Sequence, residues 1–144
     1  MLSHSSIHID ANTIKNKKID ILSINVDFDC TKLDAKFLTN IPKITGKVTT
    51  MRWAFRRANR FNQDISGWNI ASVTDTWSMF NGATAFNQAI GNWDSSSVRD
   101  MGNMFQGSSF NQPIGNWNVS SVTGMSGMFK GTPFNQNIAD WNVS

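Results

Sequence analysis

The chain has 144 residues, enough for one domain with a sizeable core and too few for two independent ones. Only 16% of residues are charged, there is no Glu and no Tyr, and aromatic residues reach 11%, which is not the composition of a disordered chain. The net charge of +3 is uneven: residues 1–72 carry 11 Lys and Arg against 6 Asp (+5), and residues 73–144 carry 2 against 4 (−2), so the basic character belongs to the first half.

Residues 1–14 show no periodicity and read as an extended arm, which holds His4 and His8. Residues 15–47 read as an N-terminal cap. Within it, Ile19 to Asp29 alternate apolar and polar with one slip at Leu22, the mark of a half-buried strand. Phe37, Ile41, Ile44 and Val48 repeat the spacing of Phe61, Ile65, Trp68 and Val73 with the last interval one residue shorter, so residues 37–47 form a degenerate half-repeat. Cys30, the only cysteine, excludes an intrachain disulfide and reads as a small buried hydrophobe. The N-terminus lacks a signal-peptide pattern and no stretch approaches the ~18 apolar residues of a membrane span, so neither export nor membrane insertion is expected.

From Val48 onward the chain repeats. Val48, Val73, Val98 and Val122 open four units, 48–72, 73–97, 98–121 and 122–144, spaced 25, 25 and 24 residues apart. Each unit returns the same residues in the same places: Phe55, Phe80, Phe105 and Phe129; Phe61, Phe86, Phe110 and Phe134 at the head of a Phe-Asn-Gln triplet; then Ile65, Ile90, Ile114 and Ile138; then Trp68, Trp93, Trp117 and Trp141. One turn cannot bury these side chains alone, but stacked turns would make a continuous apolar column. Asn62, Asn87, Asn111 and Asn135 recur in the triplet, and are expected to bond the backbone of their own and the adjacent coil as a ladder.

The predicted element order within a unit is a three- to four-residue parallel strand at Val-Thr-x-Met, then about one and a half helical turns such as Ser78–Ala83, stopped by Gly82, Gly107 and Gly131. Phe-Asn-Gln turns the chain and the segment from Ile to Trp returns it. The fold class expected is an α/β repeat solenoid: a leucine-rich-repeat-like right-handed coil with one short strand and one short helix per unit of about 25 residues, the four Val residues on adjacent parallel strands.

The run from Phe110 to Phe129, FNQPIGNWNVSSVTGMSGMF, resembles the bacterial surface-protein repeat of about 26 residues, the mycoplasma-type lipoprotein repeat grouped with BspA-like leucine-rich repeats. The resemblance covers residues 48–144 and implies a leucine-rich-repeat-like fold and a surface or interaction role. The chain departs from that family in showing no secretion signal, no lipobox cysteine and few repeats.

Catalysis finds no support. The two histidines fall in the arm, Cys30 has no histidine near it in sequence, and the 10 Asp lack paired spacing. No phosphate-cradling loop or metal-ligand spacing is present, so no enzyme activity, cofactor, metal or small-molecule substrate is expected. The Trp column reads as core rather than as a sugar-stacking surface. Asn118-Val119-Ser120 and Asn142-Val143-Ser144 match the glycosylation acceptor pattern but are the repeat's own Asn-Val-Ser.

Charge is concentrated in Arg52, Arg56, Arg57 and Arg60, where the second unit has Trp77, Asn81, Gly82 and Ala85. On a helix, Arg52, Arg56 and Arg60 would share one face, either as a solvated surface or as a docking patch for an acidic protein or, less favoured, nucleic acid. Trp141 and Val143 stand at the last unit, where no polar cap closes the stack, and join the candidate contact residues. The functional expectation is a non-catalytic protein-interaction or adhesion module. The alternative is a structural subunit of a virion or other multiprotein shell, docked through its arm, its arginines and its last repeat.

Overall fold

The computed structural model describes residues 21–22, 43–44 and 48–143. Two short strands, β1 (Ile21–Leu22) and β2 (Lys43–Ile44), pair in parallel, Ile21 with Lys43 and Leu22 with Ile44. The expected arm, most of the cap, Cys30, both histidines and Ser144 lie outside the described residues.

From Val48 on, each sequence unit is one coil, and the coils stack in register. Parallel bridges link Thr50 to Asp75, Asp75 to Asp100 and Asp100 to Gly124, each residue two past the Val that opens its unit. Among the described residues there is no helix, and β1 and β2 are the only strands. The expected α/β solenoid, with a leucine-rich-repeat-like strand and helix in every unit, is therefore incorrect.

The backbone N–H groups explain why. In coil one the N–H groups of Met51, Trp53, Phe55 and Arg57 donate across to the carbonyls of Asp75, Trp77, Met79 and Asn81, at 2.7–3.1 Å. Those of Ala54, Arg56 and Ala58 donate within the coil to Met51, Trp53 and Phe55, at 3.0–3.1 Å. Every second donor thus leaves for the next coil and cannot make the i→i−4 bond of an α-helix, while the rest close overlapping i→i−3 turns. The same alternation returns in coil two, where Thr76, Ser78, Phe80 and Gly82 donate across, and in coil three, where Met101, Asn103, Phe105 and Gly107 do.

The strands fail for a local reason. The side chains of Thr50, Asp75 and Asp100 accept the N–H two residues ahead, from Arg52, Trp77 and Gly102 at 2.8–3.2 Å. Such side-chain turns bend the backbone away from extended geometry immediately after the bridge.

The core is aromatic. Within each coil the two phenylalanines stack nearly coplanar: Phe55 on Phe61 at 4.0 Å, Phe80 on Phe86 at 3.9 Å, Phe105 on Phe110 at 4.0 Å and Phe129 on Phe134 at 4.1 Å. Each ring also meets its counterpart in the next coil at 5.6–6.0 Å. The phenylalanines of the first three coils are wholly buried, each contributing ~2–3 kcal/mol by burial, whereas Phe129 and Phe134 are partly so. The tryptophans at the back of coils two to four satisfy their polar atom as they pack. The indole N–H groups of Trp93, Trp117 and Trp141 donate to the carbonyls of Ile65, Ile90 and Ile114 in the preceding coil, at 3.0–3.1 Å.

A second ladder runs along the asparagines. Asn62 Oδ1 accepts the Asn87 N–H at 2.9 Å and the Gln88 amide at 2.9 Å. Asn87 Oδ1 does the same for Asn111 at 2.8 Å and Gln112 at 3.2 Å, and Asn111 Oδ1 for Asn135 at 3.0 Å and Gln136 at 3.1 Å. Each side chain therefore completes the hydrogen bonding of the coil that follows it.

Candidate functional site

Two turn tips recur in every coil, each made of the two residues between those that close a turn, and all are at least partly exposed except Ser78 and Gly102, which are buried. The first tip is Arg52-Trp53, Trp77-Ser78, Gly102-Asn103 and Ser126-Gly127 in coils one to four; the second is Arg56-Arg57, Asn81-Gly82, Gln106-Gly107 and Lys130-Gly131. The second residue of every tip has positive φ: 61°, 55°, 52° and 68° in the first column, and 60°, 75°, 69° and 72° in the second. A turn of this kind favours Gly or Asn at that place. In the first column coils three and four obey with Asn and Gly while coil two sets Ser78 there, and in the second column coils two to four all have glycine. Coil one alone sets Trp53 and Arg57 there.

At the first tip the arginine is held inside the chain. The Arg52 guanidinium carbon lies 4.7 Å from the Trp53 ring centroid and 4.4 Å from that of Trp77, and Nη1 donates to Asp75 Oδ2 at 3.0 Å. The two indoles meet edge to face at 5.7 Å. Trp77 in turn lies over Gly102, where a Cβ would come within 2.7 Å of its Cδ1. The tips fit one another by size, an indole over a residue with no side chain. Trp53 Nε1 is the one buried side-chain polar atom without a hydrogen-bond partner among the described residues.

At the second tip, Arg56 and Arg57 are exposed, and neither meets a carboxylate among the described residues. Arg60 is exposed and has an interaction of its own. The expected helical face of Arg52, Arg56 and Arg60 is thus corrected: with no helix, Arg52 belongs to one tip and Arg56 to the other. Trp141 is half-buried against Phe129 at 6.4 Å and continues the Trp column. Val143 is 72% exposed, on a shallow apolar depression with Met125, Met128, Phe129, Ile138 and Trp141.

The acids have local duties. Asp64 and Asp94 each accept the N–H two residues ahead, at 2.9 and 3.0 Å, and hydroxyl and amide of Ser66 and Ser96 hold the two carboxyls below the usual range. Asn118 closes an equivalent turn with Ser120, at 3.0 Å. Among the described residues no group of three His, Cys, Asp or Glu could hold a metal ion.

Trp53 and Trp77 are residues of the candidate site that the repeat pattern hid. Of the six tryptophans four form the back column, and the two left over were the available signal. The chain matches no curated protein and no solved structure. The family described as "Mycoplasma protein of unknown function, DUF285" matches it twice, over residues 21–111 and 49–144. With that match spanning every coil of the stack, the chain belongs to this Mycoplasma repeat family.

Proposed function

We propose that the chain is a non-catalytic repeat module that binds another protein, and that the turn tips of coil one are its contact face. The observation that carries this reading is Arg57, an exposed side chain on a left-handed backbone where the three later coils have glycine. Left-handed geometry costs a non-glycine residue about 1–2 kcal/mol, and strain of this sort gathers at functional positions. Arg57 contributes no core side chain that would offset it. Arginine and tryptophan are also the side chains that dominate binding energy at interfaces. Membership of a repeat family is compatible with the same role. The non-catalytic part is supported by four of the five described aspartates, Asp64, Asp75, Asp94 and Asp100, whose carboxylates are each occupied in a local turn.

The test is affinity capture and cross-linking from the native source, with the intact chain and with Trp53→Ser/Arg57→Gly, which gives coil one the residues of coil two. The variant should fold and lose the partner. Capture of the same partner by both proteins at equal affinity would refute the reading.

A further inference from the structure

The second tips of the four coils form one column, and its charge has a single sign. Arg56 and Arg57 stand at one end, Asn81 and Gln106 in the middle and Lys130 at the other end; no carboxylate belongs to the column. Arg56, Arg57 and Lys130 are all exposed. Beside them Gly82, Gly107 and Gly131 succeed one another without side chains, each close enough that a Cβ would lie 3.4–3.9 Å from backbone or side-chain atoms of the preceding coil. The result is a strip of backbone bordered by amides, with cations at its coil-one and coil-four positions.

Resting on the protein-binding reading above, we propose that this strip receives an extended acidic segment of the partner, laid along the stack from Arg56 and Arg57 to Lys130. Three coil steps of ~4.8 Å make a strip of about 14 Å, which an extended chain at ~3.3 Å per residue spans with roughly four to five residues. Carboxylates near the two ends of such a segment meet the cations. The Asn81 and Gln106 amides border the strip between them, and Asn81 is itself only weakly engaged, its amide 3.4 Å from Ser78 Oγ. A strip without side chains admits a backbone at close range, and flanking charge sets orientation and encounter rate. Nucleic acid fits less well, since the exposed rings that stack bases are absent from this column.

The full chain is titrated with a fluorescent peptide of about eight alternating Asp and Ser residues, long enough to cover the strip. A peptide with Asn in place of Asp and a single-stranded oligothymidylate serve as comparisons. The acidic peptide should bind and the Asn peptide should not. Its Kd should rise about tenfold in Arg56→Ser/Arg57→Gly and about threefold in Lys130→Ser, as expected of exposed charge pairs, with weaker binding at higher salt. A melting temperature no lower in the arginine variant than in the parent separates this loss from unfolding. An unchanged Kd in Lys130→Ser, or oligothymidylate binding as tight as the acidic peptide, overturns the proposal. If the acidic peptide fails while the native partner still depends on Arg56 and Arg57, this inference alone falls. If the native partner ignores both arginines, the protein-binding reading falls with it.

Discussion

Arg57 and Gly82 hold the same left-handed backbone in successive coils, at φ 60° and 75°, and a Cβ on Gly82 would lie 3.4 Å from Arg57 Cγ. One residue suits that geometry and the other does not. Arg57→Gly should therefore stabilise the chain by about 0.5–1 kcal/mol, the relief of strain less the entropy of the added glycine. Urea unfolding of the two proteins measures it, and a less stable variant would show that the arginine stem packs on Gly82 more favourably than its backbone strain costs.

Two glycines of coil three should respond differently to the same methyl group. At Gly107 the nearest atoms would be 3.9 Å from a Cβ, so Gly107→Ala costs only the left-handed penalty, ~1 kcal/mol. At Gly102 the Cβ would meet the Trp77 indole at 2.7 and 3.0 Å, so Gly102→Ala must displace the ring. An overpacking cost of about 1–3 kcal/mol and a shifted tryptophan emission spectrum are expected there, and an unshifted spectrum would show that the backbone moves instead.

Phe105→Ala removes a wholly buried ring that stacks on Phe80, Phe110 and Phe129. Its expected cost is about 3–5 kcal/mol. Phe129→Ala, at a half-buried ring, should cost clearly less. Equal losses in denaturant unfolding would mean that depth in the stack does not govern the energy.

Asn87 Oδ1 serves two donors in coil three, the Asn111 N–H and the Gln112 amide. Asn87→Ala leaves both without that acceptor and should cost about 1–3 kcal/mol. Asn87→Asp keeps an acceptor in place and should cost less. Hydrogen exchange at the Asn111 amide checks the assignment directly, for it should speed up in the alanine variant.

The Asp94 carboxyl is held below the ordinary carboxylate range by the Ser96 hydroxyl and amide. A group lowered on folding contributes stability that is complete above its unfolded value of ~3.9 and is lost as pH falls through the lower folded one. In Ser96→Ala the Asp94 titration followed by NMR should move upward, toward that unfolded value. A midpoint that stays put would assign the shift to some other group.

The period, the paired phenylalanine columns, the Trp column and the asparagine ladder were all legible in the sequence, because each is a side-chain identity repeated at one spacing. The backbone between them was not. Ser78 to Ala83 looks helical in isolation, but Ser78, Phe80 and Gly82 give their N–H groups to Gly102, Met104 and Gln106. Those acceptors lie a full coil away, beyond the reach of local propensity. The first turn tip was obscured for another reason: Ser78, Asn103 and Gly127 together spell a left-handed position, and Trp53 breaks the pattern.

The cross-coil bonds of Met51, Trp53, Phe55 and Arg57 also fix how the molecule would answer a mechanical load. They run from one coil to the next, so tension along the stack loads successive interfaces in series, and the weakest yields first. Each coil that detaches frees 23 to 25 residues of chain, about 80–90 Å of contour at ~3.5 Å per residue. Because coils touch only their neighbours, the rest can stay folded while one lets go. Under force the stack would lengthen in discrete steps of nearly equal size, a sawtooth extension in which the repeat period reappears as a length.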